Sequence, residues 1–253
     1  MAICWHELKE IVETPSQPHP KPSSSHQPPP YHLLFAMKKT RRVLILDLEG
    51  LLLKTIEVKH GDSMPAWTQH MRIVEDKDEV YHVVRPDTEM FLDFCAEYFE
   101  LWIWSCYNLT RVKHITQKCF PEHYIKFKVF MSNKNCQNPN IMLGFTRVYH
   151  KNLSDIWKIF EDLDANNTLI FDDTPYRVMW NMPGTYLIFP KMWRQTSEQL
   201  QSFLWEKIVP WLLGWLYARD KRVYTYNTIV NQYSDSETNY VLGVYLSRRK
   251  HLI

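Results

Sequence analysis

Short apolar runs that stop abruptly at acidic or small polar residues punctuate the chain from residue 43 onward. Val43-Leu44-Ile45-Leu46 ends at Asp47, Leu101-Trp102-Ile103-Trp104 at Ser105, and Thr168-Leu169-Ile170-Phe171 at Asp172-Asp173. Runs with no polar interruption predict strands buried on both faces of a parallel sheet. Tyr186–Phe189 is a fourth such run, and Val129-Phe130-Met131 a shorter one. Helical stretches lie between them: Thr88–Tyr98, which Asp87 is placed to cap, Leu109–Lys118 and Leu153–Leu163. Met71–Glu75 and Glu79–Val84, separated by Asp76-Lys77-Asp78, predict a hairpin; Ser132–Asn140 is turn-rich and Gly144–Tyr149 strand-like. Alternation of strands and helices predicts right-handed crossovers. The expected class is therefore α/β, a Rossmann-like parallel sheet with helices on both faces and small β-hairpin insertions.

The two ends of the chain follow other patterns. Thr14–Pro30 is made of Pro, Ser, His and Gln and holds seven of the fifteen prolines. It cannot bury apolar area to offset its ordering entropy, so residues 1–36 are expected to form a disordered tail. A Pro-rich ligand for a protein partner is the alternative reading of that tail. Lys38-Lys39-Thr40-Arg41-Arg42 reads either as a nuclear import signal or as the solvated lead-in to the first strand. From Ser197 the chain reads as helices rich in Leu and Trp, so residues 37–192 are expected to form the domain and 193–253 a helical C-terminal extension packed on it. Trp205, Trp211 and Trp215, interleaved with Leu204, Leu212 and Leu216, fit a helix docking on a core or an aromatic binding face.

Composition narrows the function. Thirty Lys+Arg against twenty-eight Asp+Glu leave a net charge of +2, too even for direct nucleic-acid binding through concentrated basic charge. Five cysteines without a C-x-x-C spacing, and eleven scattered histidines, form no zinc signature and fit a reducing compartment. The start of the chain has neither a secretory nor a presequence layout, and the most apolar stretch, Ile208–Tyr217, is half the roughly twenty residues a bilayer span needs. No membrane span and a nuclear or cytoplasmic location are expected.

Candidate chemistry gathers where the strands end. In an open α/β sheet ligands bind at the carboxyl edge, and here three strands reach it with Asp47, Ser105 and Asp172-Asp173. That set suits phosphoryl transfer. A carboxylate such as Asp47 can attack phosphorus and split one hard displacement into two easier ones. Carboxylates alone repel a phosphate dianion, so a hard divalent cation, Mg²⁺, is required, with Asp172 and Asp173 as further oxygen ligands. Glu49, two residues beyond the nucleophile, can protonate the leaving oxygen and later deprotonate water. A hydroxyl such as Ser105 and a cation are needed on the remaining phosphate oxygens.

Asp47-Leu48-Glu49-Gly50-Leu51-Leu52, the Arg85-Pro86 step, Trp104-Ser105, Lys151-Asn152-Leu153-Ser154 and Ile170-Phe171-Asp172-Asp173-Thr174-Pro175 together resemble the haloacid dehalogenase superfamily. Within it they resemble the branch of RNA polymerase C-terminal-domain phosphatases and nuclear-LIM-interactor-interacting-factor-like proteins, plant-type sequences above all, over about Arg42 to Phe189. The resemblance implies an Mg²⁺-dependent phosphoserine/phosphothreonine protein phosphatase working through an aspartyl-phosphate on a phosphoprotein or phosphopeptide. It implies Asp47 as nucleophile and metal ligand, Glu49 as acid/base with its carbonyl on the metal, and Ser105 and Lys151 on the phosphate. Asp172 and Asp173 become the acidic metal pair, with Asp173 the more direct ligand. The Met71–Val84 hairpin becomes a flap, and residues from about Ser132 to His150 an insertion that helps read the phosphopeptide.

Two positions depart from the family pattern, which is Asp-x-Asp-x-Thr where this chain has Asp47-x-Glu49-x-Leu51. Glutamate moves the carboxyl by a methylene, and a misplacement of about 1 Å can cost around 10²-fold in rate. The rival reading is therefore a catalytically impaired binding module. The same fold serves without hydrolysis as the phosphatase-like receptor of the mitochondrial inner-membrane import translocase, which would place the chain at that membrane. Cys106, beside Ser105, reads as an oxidation-sensitive thiol or as a packed core cysteine.

Overall fold

The structure, a computed structural model, describes residues 41–138, 141–143, 146–189, 203–221 and 224. The expected tail 1–36 lies outside the described residues, as do the first three residues of the basic run and most of the expected extension.

Among the described residues, five parallel strands form the central sheet. They are β1 (Val43–Leu46), β5 (Glu100–Trp104), β6 (Phe127–Met131), β9 (Thr168–Asp172) and β10 (Tyr186–Ile188), in the order β10-β9-β1-β5-β6. The alternation of side chains across the pleat explains the unbroken apolar runs. Leu44, Leu46, Leu101, Ile103, Leu169 and Phe171 enter one core, whereas Val43, Ile45, Trp102, Trp104 and Ile170 enter the other. On the first face lie α1 (Thr88–Tyr98), through Phe91, Leu92 and Cys95, and α2 (Leu109–Cys119), through Val112, Ile115 and Cys119. A π-helical turn (Phe203–Ile208) running into α5 (Val209–Tyr217) adds Leu204, Leu212 and Trp215 to that same core. On the second face, α3 (Leu153–Trp157) contributes Leu153 and Ile156, and α4 (Pro175–Val178) contributes Val178. The sheet is thus covered on both faces, and no described helix is long and apolar enough to cross a membrane.

Strand order creates the ligand edge. From β1 the chain moves outward through β5 and β6, then crosses back to β9 on the other side of β1. The reversal makes the carboxyl end of β1 the topological switch point, the usual place for a ligand in an open α/β sheet.

Several local expectations need correction. The hairpin of β3 (Arg72–Glu75) and β4 (Val80–Val84) is present but belongs to a three-stranded antiparallel sheet completed by β2 (Leu53–Glu57), which the sequence reading missed. In β2 only Leu53 is buried, so Leu53-Lys54-Thr55-Ile56-Glu57 carries little apolar signal. Asp87 does not cap α1 with its side chain; it sits at φ 60°, and the Thr88 hydroxyl instead donates to Arg85 O at 2.7 Å. The helix expected over Leu153–Leu163 stops at Trp157. Beyond it Phe160 packs edge-on against Trp102 (5.0 Å between centroids) and Arg41 bonds Asp162, so tertiary anchors draw the chain into turns. The expected strand Gly144–Tyr149 is a short antiparallel pair, β7 (Met142–Leu143) with β8 (Thr146–Arg147). Arg41 of the basic run joins Glu100 at 3.0 Å, with its guanidinium over Trp102 and Phe160.

Candidate active site

The register of β1 against β9 brings the two acidic strand ends together. Leu46 pairs with Phe171, and Asp47 N–H donates to Phe171 O at 2.9 Å, so Asp47 and Asp172 leave the sheet side by side. Both are fully buried, and Asp173 is 4% exposed. One carboxylate oxygen from each of Asp47, Asp172 and Asp173 falls within 4.8 Å of the other two. An oxygen-only set of this kind fits a hard divalent cation such as Mg²⁺. The Glu49 carboxylate is not in the cluster.

Lys151 crosses the gap from the start of α3. Its Nζ donates to Asp47 Oδ1 at 2.8 Å and to Asp172 Oδ2 at 2.6 Å. Burial lowers the affinity of that ammonium for its proton, but the Asp172 and Asp47 carboxylates outweigh burial and hold it above its ordinary value. The lysine is fixed from behind: its N–H donates to Arg177 O at 2.8 Å, and its carbonyl accepts from Asn181 Nδ2 at 2.8 Å. Burial raises the Asp47 carboxyl well above the usual carboxylate range; Lys151 and Arg177 oppose the rise, and Asp172 and Asp173 add to it.

Sequence reading missed Arg177 and Asn181. Arg177 Nη1 stands 3.5 Å from Asp47 Oδ2, giving the nucleophile candidate a cation on each oxygen. The Asp172 and Asp173 carboxylates also face Arg177, and with Asp47 and Cys106 they outweigh burial and hold its pKa above the ordinary arginine value. Its position one turn after Asp173, in the short helix Pro175-Tyr176-Arg177-Val178, was the available signal.

Gly50 and Arg85 shape the floor. Gly50 has φ +87°, and a Cβ there would lie 2.2 Å from Asp173 Oδ2, so glycine alone admits that carboxylate. Arg85, 1% exposed, donates Nε to Leu51 O at 2.6 Å and Nη2 to Gly50 O at 3.1 Å. Burial pushes its pKa down to about 10 although Asp173 supports the charge. The Arg85-Pro86 step thus holds the turn after β1 by its carbonyls.

Glu49 is engaged elsewhere. Its carboxylate accepts from Thr55 N–H at 3.0 and 3.2 Å and from the Thr55 hydroxyl at 2.8 Å, and pairs with Lys54 at 2.9 Å. The Thr55 hydroxyl meets His82 Nδ1 at 3.0 Å, and His82 Nε2 meets Asp76 at 3.2 Å, so β2 and β4 anchor this carboxylate. Leu51, at the departing threonine position, is fully buried in the core. Ser105 ends β5 at 2% exposure, beside β1, with its hydroxyl accepting from Tyr107 N–H at 3.4 Å. The structure therefore joins Asp47, Lys151, Asp172 and Asp173 directly, sets Ser105 on the adjoining strand end, and turns the Glu49 carboxylate onto β2.

A family model described as NLI interacting factor-like phosphatase matches residues 42–208. No curated protein matches the chain. Among solved structures it is similar to a variant of the fission yeast RNA polymerase II CTD phosphatase Fcp1 bound to beryllium fluoride, at 16% identity and TM-score 0.41. It is also similar to a structure of Fcp1 described as an essential RNA polymerase II CTD phosphatase, at 15% identity and TM-score 0.41. In both cases 86% of this chain is covered, and it spans 64% of the length of the other.

Proposed function

Because the chain belongs to the NLI interacting factor-like phosphatases, the branch of the haloacid dehalogenase superfamily that includes the C-terminal-domain phosphatases, we propose that it is an Mg²⁺-dependent phosphoserine/phosphothreonine phosphatase acting on phosphopeptides like those of the RNA polymerase C-terminal domain. The observation that carries this reading is the buried Asp47 carboxylate, with Lys151 and Arg177 on its two oxygens and Asp172 and Asp173 beside it. Asp47 Oδ attacks phosphorus, the ester P–O bond breaks, and an aspartyl-phosphate forms. Lys151, Arg177 and the Ser105 hydroxyl hold the phosphoryl oxygens and balance their growing charge. Asp47, Asp172 and Asp173 would hold Mg²⁺, which would supply positive charge against the phosphate dianion. Glu49 gives its proton to the leaving seryl or threonyl oxygen and then takes one from the attacking water.

A second reading rests on the engagement of Glu49. A carboxylate held by two groups of Thr55 and by Lys54 must give up part of that bonding to serve as an acid, which favours a slow enzyme or a phosphopeptide-binding module. One assay separates them. Hydrolysis of an aryl phosphate and of a phosphoserine peptide is measured with and without millimolar Mg²⁺ for wild type, Asp47→Asn and Glu49→Gln. The enzyme reading expects Mg²⁺-supported turnover that Asp47→Asn abolishes. It also expects Glu49→Gln to lower phosphoserine hydrolysis by about 10²-fold or more while sparing the aryl ester, whose leaving group barely needs a proton. Inert wild type that gains thermal stability from Mg²⁺ and further from the phosphoserine peptide supports the binding module instead.

A further inference from the structure

Cys106 follows Ser105 at the carboxyl edge of the sheet and is partly exposed. Its side chain adjoins that of Cys136, which closes the turn after β6 and is 5% exposed, and it packs against the core cluster that Cys136 helps to form. Nothing in the proposed phosphoryl transfer uses either thiol. Their proximity is built in by the backbone. Trp104 pairs with Met131 at the ends of β5 and β6, and Asn133 N–H donates to Tyr107 O at 2.9 Å, stitching the two loops together. The Cys136 loop is further fixed by Ser132 N–H donating to the Asn135 side chain at 2.9 Å, and by Cys136 Sγ lying 3.6 Å from Ser132 O.

We propose that Cys106 and Cys136 form a peroxide-reactive dithiol at the rim of the phosphate site, in which a hydroperoxide oxidises Cys106 and Cys136 closes a disulfide onto it. In the first step the Cys106 thiolate attacks one peroxide oxygen and the O–O bond breaks. Sulfur loses two electrons, the peroxide gains them, and hydroxide or alkoxide leaves and takes up a proton. In the second step Cys136 sulfur attacks the Cys106 sulfenic acid, the S–O bond breaks, and water departs with the Cys136 proton. A dithiol reductant reverses the bridge.

Charge around the pair supports this order of events. The adjoining Cys136 thiol, aided by Arg177 and Lys151 against burial and Asp172, lowers the Cys106 thiol below its ordinary value. A lowered thiol pKa favours the thiolate, the reactive form. Cys136, pushed up by the same neighbour and by burial, gives up its proton only as it attacks the sulfenic acid. Cys95 and Cys119 are buried in the opposite core, and burial pushes the first well above its usual value and the second up to about 12. Among the described cysteines, chemistry is therefore directed to Cys106.

The test uses the full reduced chain and one equivalent of hydrogen peroxide, followed by non-reducing peptide mapping. The expected result is a Cys106–Cys136 cross-linked peptide pair and, before oxidation, alkylation of Cys106 by iodoacetamide about tenfold or more faster than of Cys95 or Cys119 at pH 7. With Cys136→Ser the bridge is lost, and a sulfenic-acid-selective dione labels Cys106 instead. Absence of both the bridge in wild type and the dione adduct in Cys136→Ser overturns the proposal, as does alkylation of all three cysteines at equal rates. The reaction also blocks aryl phosphate hydrolysis if the phosphatase reading holds; a bridged peptide from a protein that never hydrolysed the ester leaves the dithiol standing and overturns only that reading.

Discussion

A side-chain carbon at position 50 would overlap the Asp173 carboxylate at 2.2 Å, and the backbone there has φ +87°, a region that costs an L-residue about 1–2 kcal/mol. Gly50→Ala is therefore expected to lower the urea-unfolding free energy by at least about 1 kcal/mol. By displacing Asp173 it should also remove any Mg²⁺-induced rise in melting temperature. Full retention of both would mean that Asp173 moves freely at this contact. The neighbouring positions are set differently: Leu51 packs in the core, so a threonine there would place a hydroxyl among apolar side chains rather than restore a loop bond. At residue 49 the carboxylate is tethered to Thr55 and Lys54.

At the scale of elements, the chain leading into α3 delivers Lys151 to the site, and His150 holds that segment in place. His150 exchanges backbone bonds with Gln137 at 2.8 Å each way, and its ring stacks on Trp180 at 5.1 Å between centroids. Burial brings its pKa down to about 4 from the ordinary 6.5. Between these values the unfolded chain binds the proton and the folded chain does not. The contribution to stability is thus complete above pH 6.5 and is lost as pH falls toward 4, by up to about 1.4 kcal/mol per pH unit. Unfolding free energies of wild type and His150→Phe, measured from pH 7 to pH 4, should show the variant losing less. His82, also lowered by burial, is present in both proteins and cancels in the comparison. Equal slopes would exclude His150 as the source.

For the whole molecule, the C-terminal helical segment is part of the core rather than an ornament on it. Trp215 is fully buried with its ring 5.7 Å from Phe99, while Trp205 is 40% exposed, so the tryptophan series serves chiefly for docking. Lys221 closes the end of α5, its Nζ donating to Trp215 O at 2.9 Å and Leu216 O at 3.1 Å. Trp215→Ala is expected to cost about 3–5 kcal/mol in urea unfolding. Trp215→Phe should cost far less, because it also removes a buried indole N–H that meets no acceptor among the described residues. Comparable losses for the two variants would show that ring volume counts for little here.

Sequence alone determined what depends on neighbours along the chain. Unbroken apolar runs marked the strands of the parallel sheet, because burial on both faces demands it of every residue in the run. The polar residues at their ends marked Asp47, Ser105, Asp172 and Asp173 as candidates, because a strand's last residue must face the edge, and motif order added Lys151, Glu49 and the family. Tertiary structure decided which of these side chains meet. Arg177 stands at Asp47 across 130 positions, Glu49 is drawn to Thr55, and Cys106 reaches Cys136, since crossovers and sheet order rather than periodicity set those distances. It also ended α3 at Trp157 and added β2 beside the hairpin. There Phe160, Arg41 and the pairing with β4 outweighed a weak local preference, which amounts to tenths of a kcal/mol per residue against the larger gain from packing.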